Sequence, residues 1–224
     1  MGERITFKVN GASTAGYLAR PAKPGPGVIV IQEWWGLVPQ IEHVADRFAG
    51  EGFVALAPDL YHGQATKSPD EAGKLMMSLR VDEAERDLAG AIDHLAALPE
   101  KGPRVGTIGF CMGGALSLFA ASKNPEVGAC VVFYGGHPNI KPDLPALGAP
   151  VLGIYAGKDA FVNPQAVAEL DRQLTGLGKR HTFHTYAEAA HAFFNEERPE
   201  VYDPAAAKDA WAKTLVFLRR ELQA

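Results

Sequence analysis

The sequence predicts an α/β architecture, a mostly parallel β-sheet with helices on both faces. Three observations carry this. Short apolar or β-branched runs alternate with stretches of helical periodicity along nearly the whole chain. One run, Gly27-Val28-Ile29-Val30-Ile31, is apolar at every position after its glycine, as in a strand buried on both faces. A glycine-framed segment, Gly109-Phe110-Cys111-Met112-Gly113-Gly114, stands where a strand pattern gives way to a helical one.

In chain order, residues 5–9 and 15–20 read as two strands joined through the turn-like pair Asn10-Gly11, which predicts a hairpin. Residues 27–31 form the central parallel strand. Ile41, Val44, Ala45 and Phe48 recur at helical spacing, and Gly50 and Gly52 close that helix before a strand at 53–57. Residues 59–69 read as a loop. Val81, Ala84, Leu88, Ala91, Ile92 and Leu95 then mark a long amphipathic helix. A strand at 105–108, a helix at 112–121 and strands at 129–133 and 151–155 follow. The chain closes with a helix at 167–177, a strand at 181–186 and a helix at 205–222. No repeat or linker interrupts the pattern, and a length of 224 residues suits one domain, 1–224.

Composition narrows the function. With 47% hydrophobic and 21% charged residues, the chain can build a packed core. A net charge of −4, from 22 basic and 26 acidic residues, offers no footprint for nucleic acid. The first ten residues lack a signal-peptide pattern and no run approaches a membrane span, so a cytoplasmic protein with no membrane partner is expected. Two cysteines, Cys111 and Cys130, are too few for a disulfide scaffold.

The segment around Cys111 has the strand-to-helix setting of a G-x-nucleophile-x-G elbow, the nucleophile support of the α/β-hydrolase fold. Such an elbow holds its nucleophile in strained backbone geometry, and Gly109, Gly113 and Gly114 supply room for the close packing it needs. A thiol at a helix start also feels the positive end of the helix dipole, which favours thiolate. The competing reading of a free cysteine is a small buried apolar residue, which suits Cys130 inside the run 129–133. In this fold an acid and a histidine follow the nucleophile in that order, each after a later strand. Asp159 follows the strand 151–155 and His191 follows 181–186. The other histidines fall elsewhere: His181 and His184 within a strand, His43 and His94 on helices, His62 and His137 in earlier loops. The expected division of labour has His191 stabilising the thiolate and protonating the leaving group, and Asp159 fixing the imidazole tautomer. The backbone N–H groups of Met112 and Trp34 are the candidate oxyanion hole.

With these residues in place, nearly the whole chain resembles the dienelactone hydrolase (carboxymethylenebutenolidase) family. The resemblance lies in Ile31-Gln32-Glu33-Trp34-Trp35-Gly36, Pro58-Asp59-Leu60-Tyr61, the Cys111 elbow, Gly157-Lys158-Asp159 and His191-Ala192-Phe193. It implies that Glu33 contacts the cysteine in the resting enzyme and takes part in forming the thiolate. It also implies attack on an enol-lactone or related ester through a thioester acyl-enzyme, with no metal or organic cofactor. Two carboxylate-binding arginines of the family are unmatched: Asn195 stands four residues after His191, and 68–79 offers only Lys74. Arg80 and Arg198 are possible substitutes, and Trp34, Trp35, Met76, Tyr134 and Phe193 possible apolar pocket walls. The expected partner is a small lactone or ester, and the expected assembly a monomer or small homo-oligomer. A general carboxylesterase or thioesterase is the alternative activity. A non-catalytic binding or thiol-sensing protein is disfavoured, because all three triad positions are filled and Cys130 is no ready resolving thiol.

Overall fold

Eight strands form one sheet in the order β1-β2-β4-β3-β5-β6-β7-β8. The structure is a computed structural model describing residues 2–9, 11–99 and 101–222. In chain order the elements are β1 (Glu3–Val9), β2 (Ala12–Ala19), β3 (Gly25–Ile31), α1 (Pro39–Gly50), β4 (Val54–Pro58), α2 (Pro69–Ser78), α3 (Val81–Ala97) and β5 (Lys101–Phe110). Then follow α4 (Met112–Lys123), β6 (Val127–Phe133), β7 (Val151–Ala156), α5 (Pro164–Gly176), β8 (His181–Tyr186) and α6 (Pro204–Leu222). β2 runs antiparallel to β1 and β4, while β4, β3, β5, β6, β7 and β8 are mutually parallel. The hairpin and the parallel sheet therefore match the sequence pattern. Of the expected turn, Gly11 takes φ +87°, a value natural for glycine, and Asn10 lies outside the described residues.

Alternation along the strands divides the core. Ile29 and Ile31 of β3 join the cluster formed with Leu88, Ile92 and Leu95 of α3 and Leu116 of α4. Val28 and Val30 face Ile41, Val44 and Phe48 of α1 and Leu218 of α6. Burying each such large apolar side chain is worth about 1.5–3 kcal/mol, which explains why the periodic positions of α1 and α3 settle inward. α4 is buried almost all round, as its apolar sequence requires.

Helix α2 is an addition to the sequence reading, which has a loop at 59–69 and assigns no element to the residues between it and the helix that begins at Val81. Proline stands at its first turn, where a missing N–H costs nothing, but Ala72 is its one fully buried residue. Its apolar stripe, Ala72, Leu75 and Met76 with Leu79 just past its end, packs against the core but spans only two turns, too short a run to stand out in the sequence. Strand β5 also reaches beyond the expected 105–108 at both ends. Among the described residues no helix is long and apolar enough to cross a membrane.

Candidate active site

The parallel strands deliver their carboxyl ends to one edge of the sheet, and the candidate residues gather there. Glu33 lies just past β3, Cys111 between β5 and α4, Tyr134 after β6, Asp159 after β7 and His191 after β8. A crevice at the carboxyl ends of the strands is where open α/β sheets place ligands.

Cys111 has φ 55° and ψ −120°, a backbone region that L residues avoid at a cost of about 1–3 kcal/mol. The flanking glycines make this possible through close approach. A Cβ at Gly109 would stand 1.8 Å from the carbonyl oxygen of Gly113, one at Gly113 2.4 Å from the carbonyls of Ile31 and Gln32, and one at Gly114 2.7 Å from the Cα of Gly135. All these neighbours are backbone, so they cannot swing aside. Gly109→Ala is accordingly expected to lose at least about 2 kcal/mol in urea unfolding. Gly50→Ala, at a helix end with no atom within 4 Å of the added carbon, is expected to gain about 0.4–1 kcal/mol.

A second stretch supports the elbow from below. The N–H of Leu60 donates to the Gln32 Oε1 at 3.2 Å, and the Asp59 carboxylate accepts from the N–H groups of Tyr61 and Gly63. That geometry aims the Tyr61 hydroxyl at the Met112 sulfur, 3.3 Å away. Residues 58–61 thus tie the loop after β3 to the start of α4.

Asp159 is buried, with its Oδ1 accepting from the N–H groups of Phe161 and Val162 at 2.8 and 2.9 Å. Its Oδ2 lies 2.7 Å from His191 Nδ1. Burial works against the ionised carboxylate, but the bonds to His191 and to the two N–H groups outweigh it and hold Asp159 below the usual carboxylate range. An ionised carboxylate only accepts, so Nδ1 is the protonated partner and Nε2 is free to serve the cavity. Burial likewise lowers the pKa of His191, yet the Asp159 bond and the nearby Cys111 sulfur overcome it and raise the value to about 10. The imidazole is braced by the rings of Tyr134 and Phe161, at 5.0 and 5.3 Å between centroids.

Glu33 is buried beside this group. The resemblance implied a resting contact with the cysteine, whereas here its oxygens go elsewhere. Asn195 Nδ2 donates to Oε2 at 2.9 Å, and the Tyr134 hydroxyl donates to Oε1 at 3.4 Å. The Asn195 amide is fixed the right way round because its Oδ1 accepts from the N–H of Glu197 at 3.0 Å. Burial pushes the Glu33 pKa up, against the lowering effect of Asn195, His191, Arg198 and Tyr134. The sequence marks Asn195 only as a residue without positive charge four positions after His191, and that spacing is the one signal of its proximity to the site.

Among the described residues, neither the Met112 nor the Trp34 N–H donates to a protein acceptor. Trp34 lines a cavity of about 600 Å³ whose walls also include Glu33, Trp35, Met76, Cys111, Phe161, His191 and Arg198, while Met112, the residue after Cys111, is fully buried. Three expected pocket residues are placed otherwise. Tyr134 and Phe193 are fully buried and lie behind the wall, their rings packed on each other at 5.6 Å, because the strand-end turns that carry them point inward. Arg80 caps the start of α3 and is held by Asp82 and Glu83 on the surface. Arg198 does line the cavity, over the ring of Trp35. Lys74, the one Lys or Arg of 68–79, is absent from the lining.

A family model described as the dienelactone hydrolase family matches residues 14–222. The protein of Aquifex pyrophilus named usf is 41% identical over 230 residues, spanning 99% of this chain and 100% of its own. A protein of Aquifex aeolicus named as a candidate carboxymethylenebutenolidase is 37% identical over 231 residues and is covered, like this chain, to 100%. Among solved structures, a candidate dienelactone hydrolase of Klebsiella pneumoniae superposes with a TM-score of 0.89 at 29% identity, covering 98% of each chain.

Proposed function

The chain belongs to the dienelactone hydrolase family, hydrolases of ester bonds on the α/β-hydrolase fold, and from that premise we propose that residues 1–224 act as one domain hydrolysing small esters or lactones through Cys111. The observation that carries the reading is a cysteine in a strained strand-to-helix turn sharing a cavity with an imidazole whose far nitrogen is held by a buried carboxylate.

The steps follow from what each group can do. Beside a protonated His191, the Cys111 sulfur reacts as the thiolate and adds to the ester carbonyl. The carbonyl oxygen takes up the negative charge, and the N–H groups of Met112 and Trp34 are the donors offered to it. Collapse breaks the bond to the alkoxide, which takes the proton from His191 Nε2, and leaves a thioester on Cys111. In a lactone the released hydroxyl stays tethered to the acyl group. His191, now neutral, accepts a proton from water as it attacks the thioester; collapse frees the acid and restores the thiolate and imidazolium. Asp159 keeps Nδ1 protonated throughout. Glu33 borders the sulfur's cavity as a carboxyl whose pKa burial raises, which makes it a better proton acceptor than an exposed carboxylate. Its bonds to Asn195 and Tyr134 make that exchange dependent on a change of partner.

Alkylation tests the reading. Cys130 is fully buried, and burial pushes its thiol up to about 11, so it is unreactive at neutral pH. One equivalent of iodoacetamide is expected to label Cys111 alone, read by peptide mass, with turnover of a p-nitrophenyl ester lost in proportion. Undiminished turnover after complete labelling of Cys111 would refute it.

A further inference from the structure

We infer that the cavity above Cys111 takes neutral esters or lactones with a bulky apolar or aromatic body, and that the Arg198–Glu200 ion pair is a specificity determinant against carboxylate-bearing ones. The inference rests on the hydrolase reading of the same cavity and adds the substrate class.

Size and lining argue for the apolar body. A cavity of about 600 Å³ holds far more than a small lactone ring, and Trp34, Trp35, Met76, Phe161 and Val162 stand in its walls. Phe161 is 78% exposed although its ring edge is fixed against His191. An aromatic held open to water at the rim of a reactive site gains about 25 cal/mol for each Å² of apolar surface that a substrate covers.

Charge argues for neutrality. Arg198 is the one Lys or Arg among the lining residues. Its Nε and one terminal guanidinium nitrogen both meet Glu200 Oε1, each at 2.8 Å, and its guanidinium carbon stands 5.9 Å from the Trp35 ring centroid. An arriving carboxylate therefore finds a guanidinium whose charge is already balanced. His191 is balanced in the same way by Asp159. The amide of Asn195 is committed to Glu33, and Glu33 itself repels an anion whenever it ionises. Desolvating a substrate carboxylate against these walls gains no compensating net charge. Glu200 is 58% exposed at its side chain, so the pair is a modest barrier that one substitution can lower.

The test compares p-nitrophenyl benzoate with the p-nitrophenyl ester of 4-carboxybenzoate, matched in ring and leaving group, on the full chain. In the wild type kcat/KM is expected to favour the neutral ester by at least about tenfold. Glu200→Gln should narrow that ratio about three- to fivefold, mainly through KM for the anionic ester, and Arg198→Gln in the Glu200→Gln background should restore it. Equal or faster turnover of the anionic ester by the wild type, or a ratio unmoved by Glu200→Gln, overturns the inference. Cys111→Ala is run in parallel: turnover that persists in it overturns the hydrolase reading, and this substrate class with it, whatever the ratio.

Discussion

Cys111→Ala is expected to abolish turnover of an activated ester, lowering kcat by about 10⁴-fold or more, while leaving the far-ultraviolet circular dichroism of the fold intact. The size of the loss follows from what the elbow does. It holds the sulfur at φ 55°, in a conformation sustained by backbone contacts at Gly109, Gly113 and Gly114, so no neighbouring group can take its place. The other thiol, Cys130, sits in the middle of β6 with its sulfur 3.4 Å from the Ser117 hydroxyl, sealed from the cavity. Alanine opens little new space, since Cys111 is only partly buried, and the variant should fold. Wild-type turnover of the purified alanine variant would remove Cys111 from the mechanism. A thioester mass adduct, trapped by rapid acid quench in the wild type and absent from the variant, is the positive counterpart.

Asp159→Asn should cost about 10³- to 10⁴-fold in kcat, because an amide can present its N–H to the imidazole and so favour the wrong tautomer. The same substitution has a second signature in stability. His191 has its pKa raised to about 10 in the folded chain, against about 6.5 when unfolded, so folding favours its protonated form. That contribution is fully present below about pH 6.5 and is lost as the pH rises through about 10. Asp159 works in the opposite sense: its pKa is depressed, so its contribution is present above about pH 3.9 and disappears as the pH falls through its lower folded value. The wild-type Tm should therefore decline between neutral pH and pH 10, and the decline should be flatter in Asp159→Asn. Equal alkaline slopes in the two proteins would mean that the His191–Asp159 bond does not carry the shift. Measuring kcat and Tm on the same samples separates catalysis from folding, since a purely structural role for Asp159 would lower Tm at every pH without changing its slope.

Most of the secondary structure could be read locally because most elements bury one face. Strands β3, β4, β6 and β7 are apolar runs, and α1 and α3 repeat their buried residues at helical spacing. Helix α2 escaped because its apolar stripe is short: Ala72, Leu75 and Met76 with Leu79 just beyond its end, of which only Ala72 is fully buried, while Pro69 and Met76 line the cavity. Tyr134 and Phe193 were expected in the pocket wall on residue type alone. Whether an aromatic faces a cavity or the core is settled by the turn that carries it, and both turns direct the ring inward.

What the amino-acid pattern determined alone was the parallel α/β sheet, the glycine-framed strand-to-helix turn at Cys111, and the order of Cys111, Asp159 and His191 along the chain, each beyond the end of a strand. These depend on periodicity, glycine spacing and strand ends, which are properties of neighbouring residues. Only the tertiary structure decided the partners of Glu33, the pairing of Arg198 with Glu200 beside Trp35, and the exile of Arg80 to the surface. The Glu33 carboxyl meets Tyr134 and Asn195 across 101 and 162 residues of chain. Contacts between groups so far apart are set by how the strand-end loops converge, and side-chain type does not encode that convergence.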